Sequence, residues 1–317
     1  MKTVLLTGGS GFLGRHILAQ AKARNYRVVA PRSSEFDLVG GAGIESYVDL
    51  VRSRFGEIDT IIHSAAYYGG IGINQAEQAT IFYRNNQMTL RVFELARQHK
   101  IRKVIPIGSA CAYPGALSGD LEEANLWDGA LHESVEAYGS SKRMQLIGQK
   151  AYYKQFGIEG NHLVLANMYG PHDVFNEYRG HVVGSLIKKF VDAKLNGASQ
   201  IVLWGDGTPQ RDFISVHDAA RAIVLAIELP HDLDPINIGT GEGTQIRELA
   251  DIIGKAAGFE GEIVWDATKP NGVARKVLST ERCRTRLGFQ PETSLEAGIG
   301  ETVAWYSANK AEADSRP

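Results

Sequence analysis

Short apolar runs recur through the first half of the chain, at Thr3–Thr7, Arg27–Ala30, Thr60–His63, Lys103–Ile107 and His162–Ala166. Runs of this length, without strict alternation, suit strands buried on both faces, as in a parallel sheet. Between them, longer amphipathic stretches predict helices beginning near Gly11, Ile44, Ala76 and Ser134, with Ser134 as the N-cap of the last. Strand and helix alternating in this way predict βαβ units. Because such crossovers are right-handed, the expected architecture is α/β, a doubly wound parallel sheet whose carboxyl-end loops converge on one crevice. Beyond Gly170-Pro171 the pattern loosens, and Gly205-Asp206-Gly207-Thr208-Pro209 reads as turn, consistent with a smaller C-terminal lobe. A helix over Val216–Leu229 and a strand over Pro235–Gly239 are expected to return to the main sheet. The division is therefore 1–170, rejoined by 213–241, against a lobe within 171–317. The polar tail Asn309–Pro317 is expected to fray.

A chain of 317 residues is long for one hydrophobic core, which agrees with a large domain plus a lobe. Lys and Arg number 34 against 36 Asp and Glu, with no long run of either sign, so no electrostatic footprint for nucleic acid or anionic membrane is present. A small-molecule partner is expected. Cys111 and Cys283 are the only cysteines, which argues against a disulfide scaffold and for a reducing compartment. The apolar start is broken by glycines, and no 18-residue apolar run occurs, so neither a signal peptide nor a transmembrane span is expected. The expectation is a cytoplasmic, soluble protein without a metal.

Candidate chemistry begins at Gly8-Gly9-Ser10-Gly11-Phe12-Leu13-Gly14, which follows a strand and opens a helix. Gly8, Gly11 and Gly14 fit one glycine spacing of dinucleotide loops, and Gly9, Gly11 and Gly14 another. Lacking Cβ, they permit a tight turn and close approach of backbone to a pyrophosphate, while the helix start supplies N–H groups. After the second strand, Arg32 suits a 2′-phosphate and favours NADP, although Glu35 and Asp37 leave NAD open. Tyr138 and Lys142 lie four residues apart, on one helix face. An ammonium near a phenol is expected to favour the phenolate, lowering the phenol from about 10 toward neutrality. Ser109, at the carboxyl end of the fourth strand, is placed to hydrogen-bond a substrate oxygen. These features predict a nicotinamide-dependent enzyme acting on a carbonyl or carbinol. Taken singly, Ser109 could be a turn serine, and Tyr138 a helix-face aromatic.

Ser109, Tyr138 and Lys142 resemble the catalytic trio of the extended short-chain dehydrogenases/reductases, which implies a Rossmann fold. Narrower motifs resemble the GDP-L-fucose synthase family over nearly the whole chain. They are Gly69-Gly70-Ile71 with Asn74, Ser109 with Cys111 and Tyr113-Pro114, Asn167 with Tyr169-Gly170-Pro171-His172-Asp173, His181-Val182, Trp204 to Arg211 and Phe213, Asn237 to Gly241, Asp266 to Pro270, and Arg275-Lys276. The resemblance implies GDP-4-keto-6-deoxy-D-mannose as substrate, epimerised at C3 and C5 and reduced at C4 by NADPH. It implies Cys111 and His181 as the epimerising acid/base pair. It also implies Ala65 and Ala66 at the cofactor, and Asn74, Asn167, His181, Lys189, Trp204, Arg211 and Lys276 at the substrate. A homodimer packed through the helices around 76–98 and 134–156 is implied as well. Without the resemblance, Cys111 reads as an inert packing residue, His181 as a satisfied histidine, and Arg211 as a partner of neighbouring Asp212. His63, Cys283 and Tyr152-Tyr153 are read as structural.

The chain departs from the family pattern in three places. Ser10 stands where an arginine is common, Gly180 and Gly184 where serine and proline are expected, and Asn271 and Ala274 where Asp and Pro are expected. A UDP- or dTDP-sugar 4-epimerase with tightly held NAD is the competing enzyme, and it leaves Cys111 and His181 without a task. A 4,6-dehydratase would need a carboxylate just after Ser109. A non-catalytic dinucleotide-binding scaffold or sensor would not need the Tyr138 and Lys142 pair.

Overall fold

All of Thr3–Thr7 is buried, leaving no side of this strand for solvent, and it lies inside a parallel sheet. The computed structural model describes every residue except Ser118, Tyr178, Pro270 and Pro317, so the Pro270 motif position lies outside the described residues. Strand order is Ile236–Ile238, Leu163–Leu165, Lys103–Ser109, Thr60–His63, Thr3–Thr7 and Arg27–Val29, with Glu159–Gly160 beside Lys103–Ser109. Every pairing is parallel. The chain leaves Thr3–Thr7 for Arg27–Val29 on one side and then crosses to Thr60–His63 on the other. The Gly8 loop therefore sits at the point where strand order reverses, the usual ligand crevice of such sheets. One face of the sheet is covered by a core including Leu6, Ile17, Ile105 and Ile223, and the other by one including Leu5, Val48, Ile61, Val92 and Phe93.

The smaller lobe has its own core of Ile187, Phe190, Leu249, Ile253, Ile299 and Tyr306, built from helices Val182–Leu195, Ile246–Ala257 and Leu295–Ala308. A four-stranded sheet joins Thr244–Gln245, Gln210–Arg211, Arg275–Leu278 and Asp120–Leu121, tying lobe segments to the loop that follows Ser109. Among the described residues, no helix is long and apolar enough to cross a membrane.

Four local expectations are corrected. The helix expected near Ala76 is two, Ile71–Ala76 and Gln78–Gln98, broken at Glu77 where φ is −122°. Ser134 is no N-cap: it lies in the short turn Glu133–Val135, its hydroxyl pairs with His132 Nδ1 at 2.8 Å, and the helix Glu136–Phe156 starts two residues later. The helix from Val216 stops at Leu225: the Ile227 and Glu228 amides turn to carbonyls three residues back, Pro230 has no amide to offer Ala226, and the buried Lys103 ammonium takes the Ala226 and Ile227 carbonyls at 2.7 and 3.2 Å. The tail is not frayed from Asn309. Lys310–Ser315 is helical, held by Lys310 to Asp192 at 2.9 Å and by Lys188 to Asp314 at 3.0 Å.

Candidate active site

At Gly8 the backbone is left-handed, with φ +71°, and a Cβ there would lie 2.8 Å from the Ala65 backbone. At Gly14 a Cβ would lie 2.0 Å from the Gly8 carbonyl oxygen, so helix Phe12–Ala23 can close on the loop only with glycine. Gly11 is the N-cap, and no side chain closes the first amides of the helix. Open amides at a helix start, in a cradle too tight for Cβ atoms, fit a dinucleotide pyrophosphate. Ser10 is exposed, Phe12 and Leu13 are buried, and Ala65 lies against the Gly8 turn with its amide on Thr7 Oγ1 at 3.2 Å, followed by the half-buried Ala66.

Arg32 follows the second strand, is exposed, and makes no ion pair among the described residues. The neighbouring acids are engaged elsewhere. Asp37 accepts from the amides of Val39, at 2.8 Å, and Gly40, bonds that hold its carboxyl below the usual range. Glu35 accepts the Arg32 amide at 3.1 Å.

Ser109 ends its strand in extended conformation, and its hydroxyl accepts the Cys111 amide at 3.2 Å. Tyr138 keeps some surface open to the crevice but lies deep in it and hydrogen-bonds Ser109. Lys142 donates to the Ile107 carbonyl at 2.8 Å, with its ammonium 5.4 Å from the Tyr138 ring centroid. The expectation that Lys142 lowers Tyr138 is corrected. Burial dominates and, with Cys111 and Tyr68 adding to it, holds the phenol well above 10, although the Ser109 bond acts downward. Burial also lowers Lys142 to about 8. Tyr138 therefore stands as a protonated donor, with a lysine beside it that titrates close to neutrality. His63, read as structural, bonds Thr7 Oγ1 at 2.9 Å, and burial lowers it to about 3, which keeps it neutral.

His181 is the N-cap residue of helix Val182–Leu195, and burial lowers its pKa, leaving the neutral imidazole at pH 7. It reaches the tyrosine through a residue the sequence did not single out. The Tyr68 ring stacks on His181, with centroids 5.5 Å apart and planes at 14°, and lies 6.3 Å from the Tyr138 ring. A tyrosine pair, Tyr67-Tyr68, before two glycines has no periodicity to reveal this. The unexpected glycines beside His181 have a packing reason, since a Cβ at Gly180 or Gly184 would lie 2.5 Å from the Val174 carbonyl oxygen.

The remaining substrate candidates fall into two groups. Arg211 donates to the carbonyls of Gln210 and Val273, both at 2.7 Å, and lies near enough to Cys111 to be coupled to it; burial lowers the guanidinium. It does not pair with Asp212, whose carboxylate takes Thr240 and Gly241 instead. Asn167 donates to the Asp212 carbonyl at 3.0 Å, and Lys276 sits in register with Arg211. A recess of about 420 Å³ lined by His132, Gly272, Val273 and Ala274 among others adjoins this group. Lys189 and Trp204 lie farther out on the lobe, Lys189 donating to the Val202 carbonyl at 3.0 Å and Trp204 standing 71% exposed beneath Lys269. Asn74 turns its amide onto the carbonyls of Gly69 and Gly70, at 2.7 and 3.1 Å, and leaves its own oxygen unpartnered among the described residues.

Residues 4–239 match the NAD dependent epimerase/dehydratase family. The chain is 33% identical to a GDP-L-fucose synthase of Escherichia coli (strain K12), covering 97% of each, and 32% identical to GDP-L-fucose synthase 1 of Arabidopsis thaliana, covering 96% of this chain and 93% of that one. A solved GDP-L-fucose synthetase from Naegleria fowleri bound to NADP superposes with a TM-score of 0.85 at 27% identity, covering 98% of this chain and 95% of that one.

Proposed function

Because this chain belongs to the GDP-L-fucose synthase family within the NAD dependent epimerases/dehydratases, we propose that it epimerises GDP-4-keto-6-deoxy-D-mannose at C3 and C5 and reduces C4 with NADPH to GDP-L-fucose. The observation that carries this reading is the convergence of Ser109, Cys111, Tyr138 and Lys142 with His181 on one crevice, next to a glycine cradle that accepts a pyrophosphate. Gly8, Ser10, Gly11, Phe12, Leu13 and Gly14 hold the dinucleotide, Ala65 and Ala66 flank it, and Arg32 takes the 2′-phosphate. That Asp37 and Glu35 are bound to backbone amides supports NADP over NAD.

A ketone at C4 acidifies the neighbouring C–H bonds, and the enolate formed on proton loss needs donors at its oxygen. Ser109 and the protonated Tyr138 supply them. His181, neutral by burial, accepts one proton, and Cys111, on the Ser109 side, serves as its counterpart, so a proton leaves one face and another returns to the opposite face. The hydride for C4 is the chemistry that a bound NADPH supplies. Tyr138 gives its proton to the C4 oxygen, and Lys142, anchored on Ile107, stabilises the phenolate left behind. Arg211, Asn167 and Lys276 serve the sugar and diphosphate from the lobe side, with Lys189 and Trp204 farther along the nucleotide. We further propose a cytoplasmic homodimer formed through Gln78–Gln98 and Glu136–Phe156.

Incubation with NADPH and GDP-4-keto-6-deoxymannose tests the reading: loss of cofactor absorbance and a product inverted at C3 and C5 are expected. Isolation with stoichiometric NAD, and interconversion of a hexose nucleotide without cofactor consumption, would replace it with a 4-epimerase. Tyr138→Phe and Lys142→Met are each expected to lower turnover about 10²- to 10⁴-fold with melting preserved. Full turnover in both would point to a scaffold.

A further inference from the structure

Tyr68 joins the two halves of the site. Its loop follows Thr60–His63 and is tied to the loop that delivers His181: the Gly70 amide donates to the Arg179 carbonyl at 2.7 Å, two residues from each ring. The Asn74 amide braces the same turn from behind. Nearby lies the buried carboxyl of Asp173, which accepts the Val174 amide at 2.7 Å through one oxygen and has no partner among the described residues for the other. The Tyr68 hydroxyl itself makes no hydrogen bond to a described residue, and burial, with Asp173 adding to it, keeps that phenol protonated. What Tyr68 offers the protein is a flat face. His181 caps its helix without a side-chain hydrogen bond to the first amides, so its imidazole is not oriented from within its own element. The parallel ring of Tyr68 orients it from outside.

We propose that Tyr68 is a positioning residue for the proton-transfer half of the reaction, acting through His181 by holding the imidazole plane toward the sugar. This rests on His181 being the acid/base group described above. Offset-stacked rings attract each other beyond their buried area, which favours the one imidazole orientation that keeps the planes parallel. A misplacement of about 1 Å costs on the order of 10²-fold in a reaction that depends on near-attack geometry. The hydride step, which uses Tyr138 and Lys142, should feel the loss little.

The test uses the full chain with Tyr68→Phe, Tyr68→Leu and Tyr68→Met, each checked by its melting transition. Two steps are measured separately: deuterium entry into GDP-4-keto-6-deoxymannose from D2O without NADPH, and NADPH oxidation with an already epimerised 4-keto sugar nucleotide. Exchange is expected to fall about tenfold or more in the Leu and Met variants and to stay within about twofold in the Phe variant, with reduction unchanged within about twofold in all three. Normal exchange in a folded Leu or Met variant overturns the proposal. So does a Phe variant as slow as Leu, or reduction falling in step with exchange. His181→Gln separates the two levels. If it abolishes exchange while Tyr68→Leu does not, only the role of Tyr68 fails; if it exchanges normally, the acid/base assignment fails and the inference with it.

Discussion

At single residues, this protein tunes chemistry mainly through burial. Asp173 is the plainest case, a carboxyl almost wholly removed from solvent and pushed up to about 7 by that burial, although one amide bond acts in the opposite direction. With a value near 3.8 unfolded and about 7 folded, the native state holds this proton more tightly, so the stability linked to it is complete below about pH 4 and is lost as pH rises through 7. Each pH unit in that window is worth about 1.36 kcal/mol, which bounds the loss at about 4 kcal/mol. Asp173→Asn keeps an acceptor for Val174 without the charge. It should melt above the wild type at pH 8, by a margin that shrinks at pH 5; an equal or lower melting temperature at pH 8 would refute the account. After the second strand, Arg32 is an exposed cation that makes no ion pair among the described residues, and it is the group proposed for the cofactor's 2′-phosphate. Arg32→Ala should raise KM for NADPH about tenfold or more while leaving KM for NADH nearly unchanged, since only the former carries the phosphate that a guanidinium grips. Parallel increases for both cofactors would show that Arg32 does not read the phosphate.

Among elements, what was legible in the sequence is what local pattern determines. Uniform burial reveals Thr3–Thr7 and Thr60–His63 to the residue, and the four-residue spacing of Tyr138 and Lys142 places both on one helix face. Two misses are local, the break at Glu77 and the Ser134 pairing with His132, and others depend on partners distant in the chain. The ordered tail is set by Lys188 and Asp192, and the place of Tyr68 by His181. Tyr138 was misjudged for a related reason: spacing brings Lys142 near, but the depth of the crevice, which no spacing encodes, decides the direction of the phenol's shift. The glycine loop shows how tightly a sequence motif can bind geometry. Gly14→Ala drives a methyl into the Gly8 carbonyl, a backbone atom that cannot move aside alone. A loss of about 2–3 kcal/mol is expected, as for other overpacked sites, together with weakened NADP binding. Thermal melting and cofactor titration check both, and an unchanged melting temperature would mean that the helix start is looser than its packing implies.

For the whole molecule, the outer side of the helices Gln78–Gln98 and Glu136–Phe156 bears on assembly. They pack against each other and on the sheet through inward residues such as Val92, Phe93 and Leu146, yet carry large apolar side chains outward as well. On the first, Tyr83 and Leu90 are seven residues apart, which places them on one face, and Leu90 is 51% exposed. On the second, Met144 and Ile147 are three apart, and Ile147 is 45% exposed. Isolated apolar residues on a surface need no partner, but several on two adjacent helices are surface that association would remove from water. Two copies related by a twofold axis would set this face against itself, each Leu90 and Ile147 meeting the same elements of the other copy. Sedimentation equilibrium should therefore give twice the chain mass of 34.6 kDa at micromolar concentration. Leu90→Glu with Ile147→Glu in one chain should yield a folded monomer, because burying like charges without a cationic partner costs more than the apolar contact returns. Both residues lie outside the catalytic cluster, so the monomer should still bind NADP. A wild type that sediments as a monomer, or a double variant that remains dimeric, would exclude this face as the subunit contact.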